Sequence, residues 1–176
     1  MRRGLIAALA TAAMFAAVPA AAEPAPATPA SEVNHGWVPV PAEAFDREAG
    51  VLCDFPIHSE PIVDEVRMRT LETYPDGSPR RELYVGDLIL QVTNTATGAT
   101  TEADASGRAI IEYGTDGSMT WYVVGPVLLG FREGSGNLPR GLWVVDGVYT
   151  VEFSPSGVKT VTHVLGTDHN VCTDLD

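Results

Sequence analysis

The chain has 176 residues, with 11 Lys+Arg against 23 Asp+Glu, a formal net charge of -12 and 45% hydrophobic residues. That length holds one globular domain with short extensions and excludes a (β/α)8 barrel or a two-domain nucleotide enzyme. An excess of acid this large repels phosphate backbones and anionic headgroups, so nucleic acid and acidic membranes are not expected partners, while cations and basic proteins remain open.

Arg2 and Arg3 precede an uncharged apolar run from Leu5 to Val18, and Ala20-Ala21-Ala22 supplies small residues where a signal peptidase reads. Residues 1–22 therefore read as a secretory signal peptide. The run falls short of the ~20 residues a spanning helix needs, and Pro19 ends it. No Cys follows it to carry a lipid, so the expected product is secreted and extracellular. Residues 23–31 (EPAPATPAS) alternate Pro with small residues and read as an extended linker. Residues 32–52 form an N-terminal extension; from Pro41 it could take one or two helical turns but has too few apolar positions for an independent helix, and Trp37 and Phe45 are expected to clip it onto the domain at 53–176.

Cys53 and Cys172 are the two cysteines of the chain. An even count in an oxidising compartment favours pairing, so one disulfide is expected. A redox or nucleophilic role would call for a CxxC spacing or a neighbouring His, and neither is present.

Between the cysteines the pattern is β throughout. Segments Ile57 to Thr73, Arg80 to Asn94, Thr100 to Tyr113, Ser118 to Phe131, Gly141 to Phe153 and Val158 to Leu165 are separated by turn signals such as Tyr74-Pro75-Asp76-Gly77 and Asp116-Gly117. Ser118 to Phe131 is nearly continuously apolar, as in a strand buried on both sides or one that changes face, with a bend at Gly125-Pro126. Ser106-Gly107 marks a bulge. Asp146-Gly147 could be a hairpin turn but is read as a second bulge, because the two half-strands would otherwise be very short. The expected fold is all-β: an antiparallel up-and-down meander closed as a six- to eight-stranded barrel, which removes exposed edges and brings the cysteines together. A two-sheet β-sandwich is the alternative.

Motifs that carry a mechanism by themselves, such as GxSxG, HExxH, GxxxxGK[ST] and GxGxxG, are absent from the sequence, and no catalytic residue, metal ligand or cofactor is assigned. Glu102-Ala103-Asp104-Ala105-Ser106-Gly107 imitates the start of a calcium loop, but its twelfth position is Tyr113 and its flanks read as strand, so alternating acids on a solvated face explain it equally well. His35, His58, His163 and His169 are scattered; only Asp168-His169-Asn170 is locally suggestive. Trp121, Tyr122, Trp143, Tyr149 and Phe153 lie in the most apolar segments and read first as core. The functional reading makes Trp121, Trp143, Tyr149 and Phe153 the lining of a ligand cavity.

The stretch Phe45 to Ile57 (FDREAGVLCDFPI), the hairpin Val92-Thr93-Asn94-Thr95-Ala96-Thr97-Gly98 and the late Val171-Cys172 resemble a group of uncharacterised secreted actinobacterial proteins. The resemblance implies a small secreted β-domain with a Cys near each end, and no chemistry. The role favoured by the residues is a secreted, non-catalytic module, with a small apolar ligand as the expected partner. The alternatives are a small barrel enzyme of cyclase or isomerase type, and an interaction or inhibitor module using the loop Arg132 to Arg140.

Overall fold

Where the sequence pattern suggests six long strands, the chain bends midway through the first three and sends the two halves into different sheets. The computed structural model describes residues 36–176; the signal peptide and linker expected over residues 1–31 lie outside the described residues. Strands β1 (Val38–Pro39) and β2 (Phe45–Arg47) lie in the N-terminal extension. The first expected strand is β3 (Ile57–Asp64) and β4 (Arg67–Thr73), the second β5 (Pro79–Val85) and β6 (Leu88–Asn94), and the third β7 (Thr100–Asp104) and β8 (Arg108–Tyr113). Then come β9 (Met119–Val124), β10 (Val127–Phe131), β11 (Gly141–Phe153) and β12 (Lys159–Asn170), and a 3-10 turn at Val171–Asp174. The smaller sheet runs β2-β3-β6-β7. The larger runs β1-β4-β5-β8-β9-β11-β10, with β12 also on β11. Every ladder is antiparallel.

The bends line up into one crease. Glu65 N–H donates to the Asp87 carbonyl, Ala105 N–H to Leu88, Gly107 N–H to Pro126 and Gly125 N–H to Gly147. Two of these positions admit only glycine. At Gly86, φ is +136° and a Cβ would lie 2.3 Å from the Glu65 carbonyl oxygen; at Gly147, φ is +129° and a Cβ would lie 2.2 Å from the Leu165 oxygen. Asp146-Gly147 is not a hairpin turn, since β11 runs through it, but neither is it the expected bulge: both residues pair in regular register with Thr167 and Gly166, and the bulge lies on β12, where Val164 is the extra residue between the partners of Val148 and Tyr149.

The expected barrel does not form, since neither sheet closes on itself; two antiparallel sheets give the sandwich-like alternative. The physical reason lies in β10 and the first half of β11, which are apolar on both faces. Leu128, Leu142 and Val144 pack with Leu90, Val92, Ala103 and Cys53 beneath the smaller sheet. Leu129, Phe131 and Val145 join Ile111, Val123 and Val151 in a second core. A barrel would enclose only one of these faces and leave the other wet, so the smaller sheet covers it instead. The larger sheet curls around the second core and is sealed by the loop after β10. That loop lays Gly136 beside Lys159, with Lys159 N–H to the Ser135 carbonyl at 2.9 Å and Asn137 N–H to the Lys159 carbonyl at 3.2 Å.

The cysteines pair as expected, with a Cα–Cα distance of 5.5 Å across 119 positions. Their meeting does not depend on barrel closure: the C-terminal 3-10 turn packs into the first core through Val171, Cys172 and Leu175. Buried Asn94 fixes it by donating from Nδ2 to the Leu175 carbonyl at 3.1 Å. The extension is strand rather than helical turns. Phe45 packs into the first core, and β1 and β2 add to β4 and β3, which supplies backbone partners that an isolated helical turn would lack. Among the described residues no helix is long and apolar enough to cross a membrane.

Candidate functional site

At the crease the outermost strands of the two sheets, β7 and β10, are not paired with each other, and the Gly107 N–H donates to the Pro126 carbonyl at 2.6 Å, joining the turns that lead into β8 and β10. A cleft of about 700 Å³ opens around this seam. Its apolar wall is Leu52, Leu88, Leu90, Leu128 and Leu142, with Phe45 and Trp121 adding aromatic surface. These residues arrive by alternation: on β6, Leu88, Leu90, Val92 and Asn94 share the inward face, and the two nearest the crease, Leu88 and the buried Leu90, border the cleft. The volume lies within the ~300–1,000 Å³ typical of small-molecule sites, which are mostly apolar with a few placed polar groups.

The placed polar groups are cationic. Arg47, Arg132 and Lys159 line the cleft together with Ser135 and Ser156. Lys159, the only lysine of the chain, donates from Nζ to the Gly130 carbonyl at 2.7 Å and stands 5.3 Å from the centroid of the Phe131 ring. Burial, and then the charge of Arg132, hold its ammonium below the usual lysine range. Arg47 stacks 4.6 Å from the Phe45 ring centroid, which aims the guanidinium along the cleft wall.

No protein-family model, curated protein or solved structure matches the chain.

Of the four aromatics expected to line a cavity, Trp121 does so, resting on Phe153 at 4.8 Å between ring centroids. The other three do not border this cleft. Phe153 packs in the second core with an edge on a separate surface depression; Trp143 packs against the same core and donates from its indole to the Pro139 carbonyl at 3.0 Å. Tyr149 is buried, donates to the Val145 carbonyl at 2.9 Å, and touches only a separate apolar depression on the outer face of the larger sheet. Period two put these side chains in apolar strands, but which face meets the seam depends on where each strand bends. The missed wall residues, Leu88, Leu90 and Leu128, carry no signal beyond apolarity. A lone lysine in an acidic chain was the one available hint toward the cationic rim.

The histidines do not converge. His58 pairs with Asp46, His163 with Asp168 and His169 with Asp174, each at 2.8 Å, and none lines the cleft. Hydrogen bonding to Asp46 raises the His58 pKa. His35 lies outside the described residues. In the calcium-like run, the Asp104 carboxylate accepts the Ser106 N–H at 2.8 Å, a local turn cap. The loop Arg132 to Arg140 is strapped down rather than free: Asn137 accepts from Val161 N–H and donates to the Val161 carbonyl, both at 2.8 Å, and Arg140 pairs with Asp54.

A second polar cluster lies inside the larger sheet. Glu82, 4% exposed, accepts at Oε2 from Tyr113 at 2.8 Å and Tyr84 at 2.9 Å, and Tyr74 donates to the Tyr113 carbonyl at 2.6 Å. Burial first, then hydrogen bonding to Tyr84 and Glu82, pushes Tyr113 well above the usual tyrosine range; burial likewise raises Tyr84 and Tyr149. Each phenol is neutral when protonated, and the folded chain holds that proton more tightly than the unfolded one. Their contribution to stability is complete below the unfolded value of about 10 and is lost as pH climbs through the folded values. Urea midpoints should therefore hold level to about pH 10 and fall beyond it, in step with late phenolate absorbance. A flat profile well past that point would contradict the assignment.

Proposed function

We propose that the protein is a secreted, non-catalytic β-module that holds one small, largely apolar molecule in the cleft at the crease, between β6 of the smaller sheet and β10 of the larger. One observation carries the reading: about 700 Å³ of space walled by Leu52, Leu88, Leu90, Leu128 and Leu142 opens beside the first core. The intramolecular disulfide is compatible with an oxidising compartment, and the resemblance to secreted actinobacterial proteins supports export.

The test is binding of a hydrophobic fluorescent probe, with Leu88→Trp to fill the cleft. The native chain should bind one equivalent, and the variant should keep the native circular dichroism while losing at least about tenfold in affinity, as expected when a ligand's apolar contacts are replaced by a side chain. Undiminished binding to a folded Leu88→Trp protein would sink the proposal.

A second reading, an enzyme of cyclase or isomerase type, draws support from Lys159, a half-buried amine with a lowered pKa on the same cleft. Its Nζ is donating to a carbonyl, an arrangement that suits a positioned cation better than a proton acceptor.

A further inference from the structure

The charge around the cleft runs opposite to the charge of the chain. With 23 acidic residues against 11 basic ones, a patch of surface taken at random is acidic. Not one Asp or Glu lines the cleft, whereas Arg47, Arg132 and Lys159 all do. None of the three is ion-paired to a carboxylate among the described residues, although other arginines are: Arg80, Arg81 and Arg140 have such partners.

The two nearest cations work against each other. Arg132 is among the causes that lower the Lys159 pKa, so the fold holds like charges together beside an apolar wall. The nearest acids in sequence, Asp46 beside Arg47 and Glu133 beside Arg132, are exposed and do not line the space. Bringing cations together at a partly desolvated site is unfavourable by itself and becomes favourable when an anion occupies the position they share. Ser135, on the same rim, accepts from the Arg132 N–H at 2.8 Å and donates to the Arg132 carbonyl at 2.9 Å, which fixes the backbone that carries the guanidinium. The apolar wall and the cationic rim thus describe two ends of one ligand.

We propose that the cleft selects an amphipathic anion, an acyl chain ending in a carboxylate, taken up as a free monomer, with Lys159 and Arg132 on the head group and the leucine wall on the chain. This rests on the ligand-binding reading above and names the class of molecule. A membrane-bound lipid headgroup offers similar chemistry, but the net charge of -12 repels an anionic bilayer, so the free molecule is favoured.

Calorimetric titration of the full chain with decanoate, decanol and decylammonium separates the possibilities. Decanoate should bind about tenfold more tightly than decanol, and decylammonium most weakly. Arg132→Gln changes an exposed side chain, and Lys159→Met keeps the length of the buried stem; each should weaken decanoate by about tenfold while leaving decanol within about twofold. Should Lys159→Met fail to fold, Arg132→Gln alone decides. Equal affinities for decanoate and decanol would overturn the anionic assignment and leave the apolar-ligand reading standing. Failure of all three to bind would overturn both. Co-flotation with phosphatidylglycerol vesicles, without binding of decanoate, would place the site on a membrane and overturn the free-ligand proposal.

Discussion

Replacing Cys53 and Cys172 together by alanine is expected to lower the free energy of unfolding by about 4–5 kcal/mol, the largest effect of any change to one contact in this fold. The bridge spans 119 positions, so cutting it releases nearly the whole described domain from a loop-closure constraint in the unfolded state. Each doubling of loop length adds only about 0.6 kcal/mol, which places this loop near the top of the range. The folded state loses as well. Both cysteines are buried in the first core beside Leu52, Val171 and Leu175, and their removal loosens the 3-10 turn that closes it. Urea unfolding of the double variant, and of the native chain in reductant, should give the same loss. A deficit below about 1 kcal/mol in both would mean that Asn94 and Leu175 hold the ends together without covalent help.

Glu82→Ala is expected to cost about 3 kcal/mol or more. The carboxylate is buried and receives two phenolic hydrogen bonds at Oε2 and one from Thr70 at Oε1, so its loss leaves Tyr84 and Tyr113 with only their mutual 3.4 Å contact, takes the acceptor of Thr70 and leaves a hole among half-buried rings. The diagnostic result is non-additive. Removing the carboxylate with both phenols, as Glu82→Leu with Tyr84→Phe and Tyr113→Phe, should cost less than Glu82→Leu alone, because of the buried partners only the Thr70 hydroxyl is then left over. Thermal unfolding of the single and triple variants checks this. A triple variant worse than the single one would show that the two tyrosine hydroxyls satisfy each other once the carboxylate is gone.

The class of fold was open to reading because period two and turn residues are local. Leu88, Leu90 and Val92 alternate as a half-buried strand must, and Asp116-Gly117 closes its hairpin wherever the strands go. That β11 continues through Asp146-Gly147 was legible for the same reason, a glycine with apolar residues on both sides; that the irregularity falls instead at Val164 of β12 depends on the partner strand. The bends at Val66 and Gly86 were not read, since a single glycine between two apolar runs looks the same in a straight strand as in a creased one. The aromatics read first as core, and as a cavity lining only where a single barrel encloses them. Once β10 and β11 bury both faces, Trp143, Tyr149 and Phe153 belong to packing and the leucines inherit the cleft.

By itself, the sequence determined an acidic all-β chain with a disulfide between its ends, since composition, alternation and an even pair of cysteines need no knowledge of what lies across the core. Tertiary structure decided that the meander folds into two sheets, that their outermost strands stay unpaired with each other at a crease, and that three cations far apart in the chain line one apolar cleft. Those outcomes depend on which strand face is covered by which sheet, and that choice is made by burial summed over both cores rather than by any local run of residues.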